Sequence, residues 1–138
     1  MTSCRIAIVG SRRRRSLPDR DFVFRIVEEA IKKFGSENVT VVSGGCPTGA
    51  DAFAKEAASI RGTKYLEFPI PRDPPIRDKW DFTQRAYGRN GFVAENCDIM
   101  YALVHRDRTG GTEDTVKKSL RLLRPTWLVG DDLRLTRA

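Results

Sequence analysis

The sequence predicts an α/β fold: a single Rossmann-like domain over residues 1–138, with a mostly parallel sheet of about five strands flanked by helices. Three observations carry this expectation. Residues 4–9 and 39–43 are apolar, and largely β-branched, at nearly every position, as strands covered on both faces are. Apolar residues at helical spacing fill the intervals between such runs. Several strand ends then break into small and polar residues, where a chain must turn sharply before a crossover helix.

Taken in order, the first strand starts at Cys4 and runs into Gly10-Ser11-Arg12. Phe22, Ile26, Val27, Ala30, Ile31 and Phe34 mark the inner stripe of a first helix, with Ser16, Pro18 and Asp19 as start signals and Gly35 as its stop. The second strand ends in Ser43-Gly44-Gly45, and Gly49 precedes a second helix whose small face is Ala50, Phe53, Ala54, Ala57 and Ala58, closing at Gly62. Residues 64–68 make a third strand, and the proline-rich 69–78 reads as a loop over one sheet edge. Residues 79–96 look helical, with a break expected near Gly88 and Gly91. A fourth strand over 98–104 leads through a polar loop to Thr109-Gly110-Gly111-Thr112. A fourth helix then carries Val116, Leu120 and Leu123 and ends before Pro125. Residues 126–129 complete the sheet, and the polar 131–138 reads as a mobile tail.

Composition narrows the partners. The 138 residues suffice for one domain that buries about two-thirds of its unfolded surface. No apolar run approaches the roughly 20 residues that span a bilayer, so no membrane partner is expected. Cys4, Cys46 and Cys97 form no paired framework and no metal-ligand spacing, which suits a reducing cytoplasm and predicts no metal site. The net charge of +7, from 25 Lys plus Arg against 18 Asp plus Glu, favours anionic partners, nucleotides and nucleic acid included.

Ligands of open parallel sheets sit outside the carboxyl ends of the strands, where helix N-termini offer free N–H groups and partial positive charge. Gly10, Ser11, Arg12, Ser43, Gly44, Gly45, Gly49, Gly110, Gly111 and Thr112 all fall at that edge. Neither G-x-G-x-x-G nor G-x-x-x-x-G-K-[ST] occurs, which argues against an ordinary dinucleotide fingerprint or P-loop. Of Arg12 to Arg15, Arg12 is placed to reach a phosphate, while the other three face water or a longer polyanion. Arg89 could either clamp a phosphate or satisfy last-turn carbonyls, and Asn90 could read a base edge or a ribose hydroxyl. Asp51, Glu113 and Asp114 each begin a helix, where they either complement the helix dipole or face a ribose. His105, the single histidine, has no neighbouring nucleophile to activate.

Gly10-Ser11-Arg12, Val42-Ser43-Gly44-Gly45 with Gly49-Ala50-Asp51, Arg89-Asn90, Asp98 and Gly110-Gly111-Thr112 together resemble the SLOG superfamily. That group holds the LONELY GUY phosphoribohydrolases, molybdenum-cofactor carrier-like proteins and the core of DNA-processing protein A. This chain looks like its small stand-alone members over residues 4–129. The resemblance implies a Rossmann-like sheet that binds nucleotides or nucleotide-derived ligands, commonly in a homodimer. LONELY GUY enzymes carry P-G-G-x-G-T-x-E-E and an arginine from an earlier helix. Here the stretch is Thr109-Gly-Gly-Thr-Glu-Asp-Thr115, which lacks the proline and one glycine, sets Asp114 on the acidic position and Thr115 on the second glutamate. A carboxylate one methylene shorter stands about 1 Å back, a misplacement that can cost about 100-fold in rate.

Three readings follow. The crevice binds a nucleotide-derived phosphate ligand as a sensor or carrier; or it is a phosphoribohydrolase, with Arg89 on the phosphate and Asp114 or Glu113 at the ribose; or the basic surface binds single-stranded nucleic acid. The ligand's identity is left open by all three.

Overall fold

A computed structural model describes residues 2–138. Six strands, in the order β3-β2-β1-β4-β5-β6, form one sheet. The first five in sequence, β1 (Cys4–Gly10), β2 (Val39–Ser43), β3 (Lys64–Glu67), β4 (Ile99–Leu103) and β5 (Thr126–Val129), pair in parallel. The sixth, β6 (Leu135–Arg137), lies antiparallel on β5. The count is therefore six rather than about five, and the added strand falls within the segment that the sequence suggested was a mobile tail. Its residues are exposed and its pairing is a short backbone ladder at the sheet edge, which leaves no hydrophobic signature in the sequence.

The strands alternate cleanly between two cores. Ile6, Ile8, Val39 and Val41 point to the face covered by α1 (Leu17–Phe34) and α2 (Ala50–Arg61), meeting Val23, Val27, Ala54 and Ala57. Ala7, Val9, Val42, Met100 and Ala102 point to the other face, where α3 (Lys79–Glu95) and α4 (Gly111–Arg121) supply Val93, Ala94 and Val116. Among the described residues no helix is long and apolar enough to cross a membrane.

Helix α1 starts where its signals stand. The Ser16 side chain accepts from the Asp19 N–H, the Asp19 carboxylate accepts from the Ser16 N–H, and the helix ends at Gly35. The Asp78 carboxylate caps α3 by accepting from the Asp81 N–H at 2.8 Å. Contrary to the expected break, α3 runs unbroken through Gly88 and Gly91. Each glycine costs about 1 kcal/mol against alanine, but the helix buries Asn90, Val93 and Ala94, and that packing outweighs the local cost. In α4 the buried residues are Thr115, Val116 and Ser119, whereas Leu120 is exposed and the helix ends at Arg121, short of the exposed Leu123, so the predicted leucine stripe is corrected to a mixed polar face. The Ser119 and Thr126 hydroxyls lie 2.7 Å apart, which makes that face burial-compatible.

Crossovers run from β1 outward to β2 and β3 on one side, and from β4 outward to β5 on the other, so order reverses between the adjacent β1 and β4. Gly10 ends β1 at this point. A Cβ there would stand 2.8 Å from the Ala50 Cβ and 2.9 Å from the Leu103 carbonyl oxygen. Gly10→Ala is therefore expected to lower stability by about 1–3 kcal/mol, measured by thermal or urea melts, through overpacking against backbone that has no room to shift.

Candidate functional site

The β1–α1, β2–α2 and β4–α4 turns open onto a single cleft of about 500 Å³ at the carboxyl edge of the sheet. Gly10, Ser11, Arg12, Gly44, Asp51, Arg89, Asn90, Gly110, Gly111 and Thr112 line it. Ser43, Gly45 and Gly49 lie behind the lining and shape it. The Ser43 hydroxyl accepts from the Gly45 N–H at 3.2 Å. Gly49, at φ 77°, brings the start of α2 against the Ser11–Arg12 backbone, where a Cβ would sit 3.0 Å from the Ser11 oxygen.

The two helices that begin at this cleft differ from the two that begin elsewhere. Helices α1 and α3 carry side-chain caps, whereas α2 and α4 start at Gly49 and Gly110, both at positive φ, with no side-chain hydrogen bond at the cap. Their first-turn N–H groups are left for a ligand, and both helix dipoles place positive potential in the cleft.

The four-arginine run separates into distinct roles. Arg12 lines the cleft, with no carboxylate beside it among the described residues. Arg13 also lines the cleft but is paired with Asp107 at 2.7 Å, and that hydrogen bond pulls the Asp107 carboxyl down to about 2. Arg14 does not face water as expected. It is buried, held by Asp19 and by the Val104, Val129 and Gly130 carbonyls. Arg15 is exposed.

Arg89 lies inside α3, not at its end, and caps no last-turn carbonyl. Its Nη1 donates to the Gly44 carbonyl and its Nε to the Asn90 Oδ1 at 3.0 Å. A Cβ at Gly44 would meet the Arg89 guanidinium, which would have to shift to admit it. The Asn90 amide donates to the Gly111 carbonyl at 3.3 Å and to Asp114 at 3.1 Å, tying α3 to the start of α4.

Glu113 and Asp114 stand outside the cleft lining. Arg108 holds Glu113 with bonds of 2.6 and 2.9 Å, and Lys118 holds Asp114 at 2.7 Å. Asp51 is the one acidic residue lining the cleft among the described residues. Burial raises its carboxyl to about 6, despite the Cys46 N–H, the Arg89 charge and Ser43, all of which favour the anion. His105 lies beyond the lining, 3.4 Å from Asp107. No group of three or more His, Cys, Asp or Glu comes together among the described residues.

Sequence reading missed the apolar part of the lining. Ile70, Phe82, Ala86, Tyr87 and Val93 add apolar surface to the lining of the cleft. Residues 82, 86, 89, 90 and 93 fall at helical spacing, so one uninterrupted α3 would have shown them as one face. The proline-rich loop that brings Ile70 is pinned by Arg85, which donates to the Pro71, Pro74 and Pro75 carbonyls. Cys46 also lines the cleft as a free thiol.

This strand order, with the reversal point between β1 and β4 and glycine turns beneath it, defines a Rossmann-like α/β fold. Among solved structures, DNA processing protein A from Streptococcus pneumoniae matches with a TM-score of 0.69 and 17% identity over 91% of this chain. The chain spans 50% of that protein's length. Two structures of the molybdenum cofactor carrier protein from Chlamydomonas reinhardtii match with TM-scores of 0.62 and 0.58 at 14% and 13% identity. Both matches cover 91% of this chain and respectively 76% and 75% of those chains. At such identities the likeness is one of fold. No protein-family model and no curated protein matches the chain.

Proposed function

We propose that the cleft binds a nucleotide or nucleotide-derived phosphate ligand and that the protein works as a sensor or carrier of it. The observation that carries this reading is the pair of uncapped helix N-termini, α2 and α4, opening with Arg12 on one cleft that also has apolar residues in its lining. Free N–H groups and a guanidinium suit a phosphate, and Phe82 with Ile70 suits a base or another flat ring. A volume of about 500 Å³ is within the usual range for small-ligand pockets. The carrier protein named among the fold neighbours is a molybdenum cofactor carrier, which agrees in kind with holding a ligand without turnover.

Phosphoribohydrolase chemistry has less support. Both carboxylates that would act at the ribose are tied to Arg108 and Lys118 outside the lining. A nucleic-acid surface is weakened by Arg13 and Arg14, which are engaged by Asp107 and Asp19.

Calorimetry with the ribonucleoside 5′-monophosphates and inorganic phosphate tests the reading. Arg12→Ala is expected to weaken phosphate-bearing ligands about 10-fold or more, the worth of a charge-assisted hydrogen bond. Chromatography should detect no free base after incubation. Base release that stops in Asp114→Asn would establish the hydrolase instead, and strongly salt-dependent binding of single strands would establish the third reading. Mass spectrometry of small molecules retained through purification would name the ligand directly.

A further inference from the structure

The cleft is built for anions, yet one wall holds a carboxylate. Asp51 sits in the first turn of α2, is 8% exposed and lines the cleft. Its Oδ2 accepts from the Cys46 N–H at 3.0 Å, and the Ser43 side chain stands as a second donor to the carboxyl. Two donors leave a carboxylate with lone pairs to spare, and the space this one borders is the cleft itself.

Its surroundings place it between the two halves of the site. Two residues earlier, Gly49 packs on the Ser11–Arg12 backbone at the phosphate side. On the other flank, Gly44 lies between Asp51 and Arg89 of α3, with its Cβ position 3.1 Å from the Asp51 Oδ2 and 2.5 Å from the Arg89 Nη1. The same helix, α3, carries Phe82 and Ala86 of the apolar lining. A phosphate would be repelled at Asp51, and a flat apolar ring would offer it no further donor. The part of a nucleotide that joins phosphate to base is a sugar, and its hydroxyls are donors.

We propose that Asp51 is the specificity-determining residue of the cleft, accepting from a sugar hydroxyl and so selecting ribose-bearing ligands over their deoxy counterparts. The inference rests on the nucleotide reading above and adds which part of the ligand is read and by which side chain. Burial holds the Asp51 carboxyl up near 6, so at pH 7.5 it is an anion with capacity for a further donor. Asp114 and Glu113, already occupied by Lys118 and Arg108, offer no equivalent acceptor.

The test is calorimetric titration at pH 7.5 of the wild-type chain and Asp51→Asn. The ligands are the four ribonucleoside 5′-monophosphates, their 2′-deoxy and 3′-deoxy counterparts, and inorganic phosphate. Asparagine keeps the shape and an oxygen for the Cys46 N–H, and a melting curve checks that the variant folds. The best ribonucleotide is expected to bind about 10-fold or more tighter than at least one of its deoxy forms. Asp51→Asn is expected to erase that difference while inorganic phosphate binds as well or better. Equal binding of the ribo and both deoxy forms, or a preference that survives in Asp51→Asn, overturns the inference and leaves nucleotide binding intact. Absence of binding by every nucleotide overturns both.

Discussion

Replacing Arg14 by alanine is expected to remove about 3–5 kcal/mol of folding stability, read from urea melts, because it strands a buried charge and three backbone carbonyls together. The Arg14 guanidinium donates to Asp19 at 2.8 and 3.2 Å, to the Val104 and Val129 carbonyls at 2.8 and 2.7 Å, and to the Gly130 carbonyl at 3.0 Å. Those carbonyls end β4 and β5, and Asp19 opens α1, so one side chain ties three elements at the carboxyl edge. Burial pushes the Asp19 carboxyl up, but the hydrogen bonds and charge of Arg14, with help from Ser16, outweigh it and leave the group below its ordinary value. A depressed folded value means that Asp19 adds stability above the unfolded pKa, lost as pH falls through the folded one, and Arg14→Ala abolishes that acid-side contribution. Arg13→Ala supplies the contrast. Its pair with Asp107 is half exposed, and its removal should shift stability by no more than about 1 kcal/mol. Equal effects at the two positions would show that Arg14 is not the tie.

Those adjacent arginines also mark where sequence reading stops. Four identical residues carry no internal signal for which one turns inward; Arg14 does so because the β1–α1 loop sets it against the open ends of β4 and β5. The strands were legible because parallel strands buried on both faces are written in unbroken apolar runs, as in Ile6-Ala7-Ile8-Val9. So were the glycine turns, which meet at one cleft because β1 and β4 are neighbours. The buried face of α4 was hidden, since Thr115 and Ser119 look like surface residues until Thr126 of β5 supplies a hydroxyl partner. The apolar lining was hidden for a different reason. Gly88 and Gly91 read as a break, whereas open space around Gly88 and tertiary packing along the rest of α3 let the helix continue.

Asp51→Asn is expected to raise stability at pH 8 by about 2–3 kcal/mol and to leave it nearly unchanged at pH 4. The groups that face Asp51 are the Cys46 N–H, Arg89 and Ser43, which favour its anion, and Glu67, which opposes it; burial exceeds them all and lifts the carboxyl to about 6. A folded value above the unfolded one means the folded chain holds the proton more tightly. Stability from this group is therefore complete below about pH 4 and lost as pH rises through about 6. The wild-type curve should fall across that window, and the asparagine curve should lack the fall. A variant that melts lower than wild type at pH 8 would show that the Arg89 and Cys46 contacts repay the burial of the anion, removing this account. The expected direction also bears on function. At neutral pH the chain maintains a destabilising buried charge in the first turn of α2, where a neutral amide of the same shape would fit. Destabilising groups of this kind persist where a site needs them, and the Asp51 carboxylate lining the cleft is where this need would be met, by a donor from the ligand.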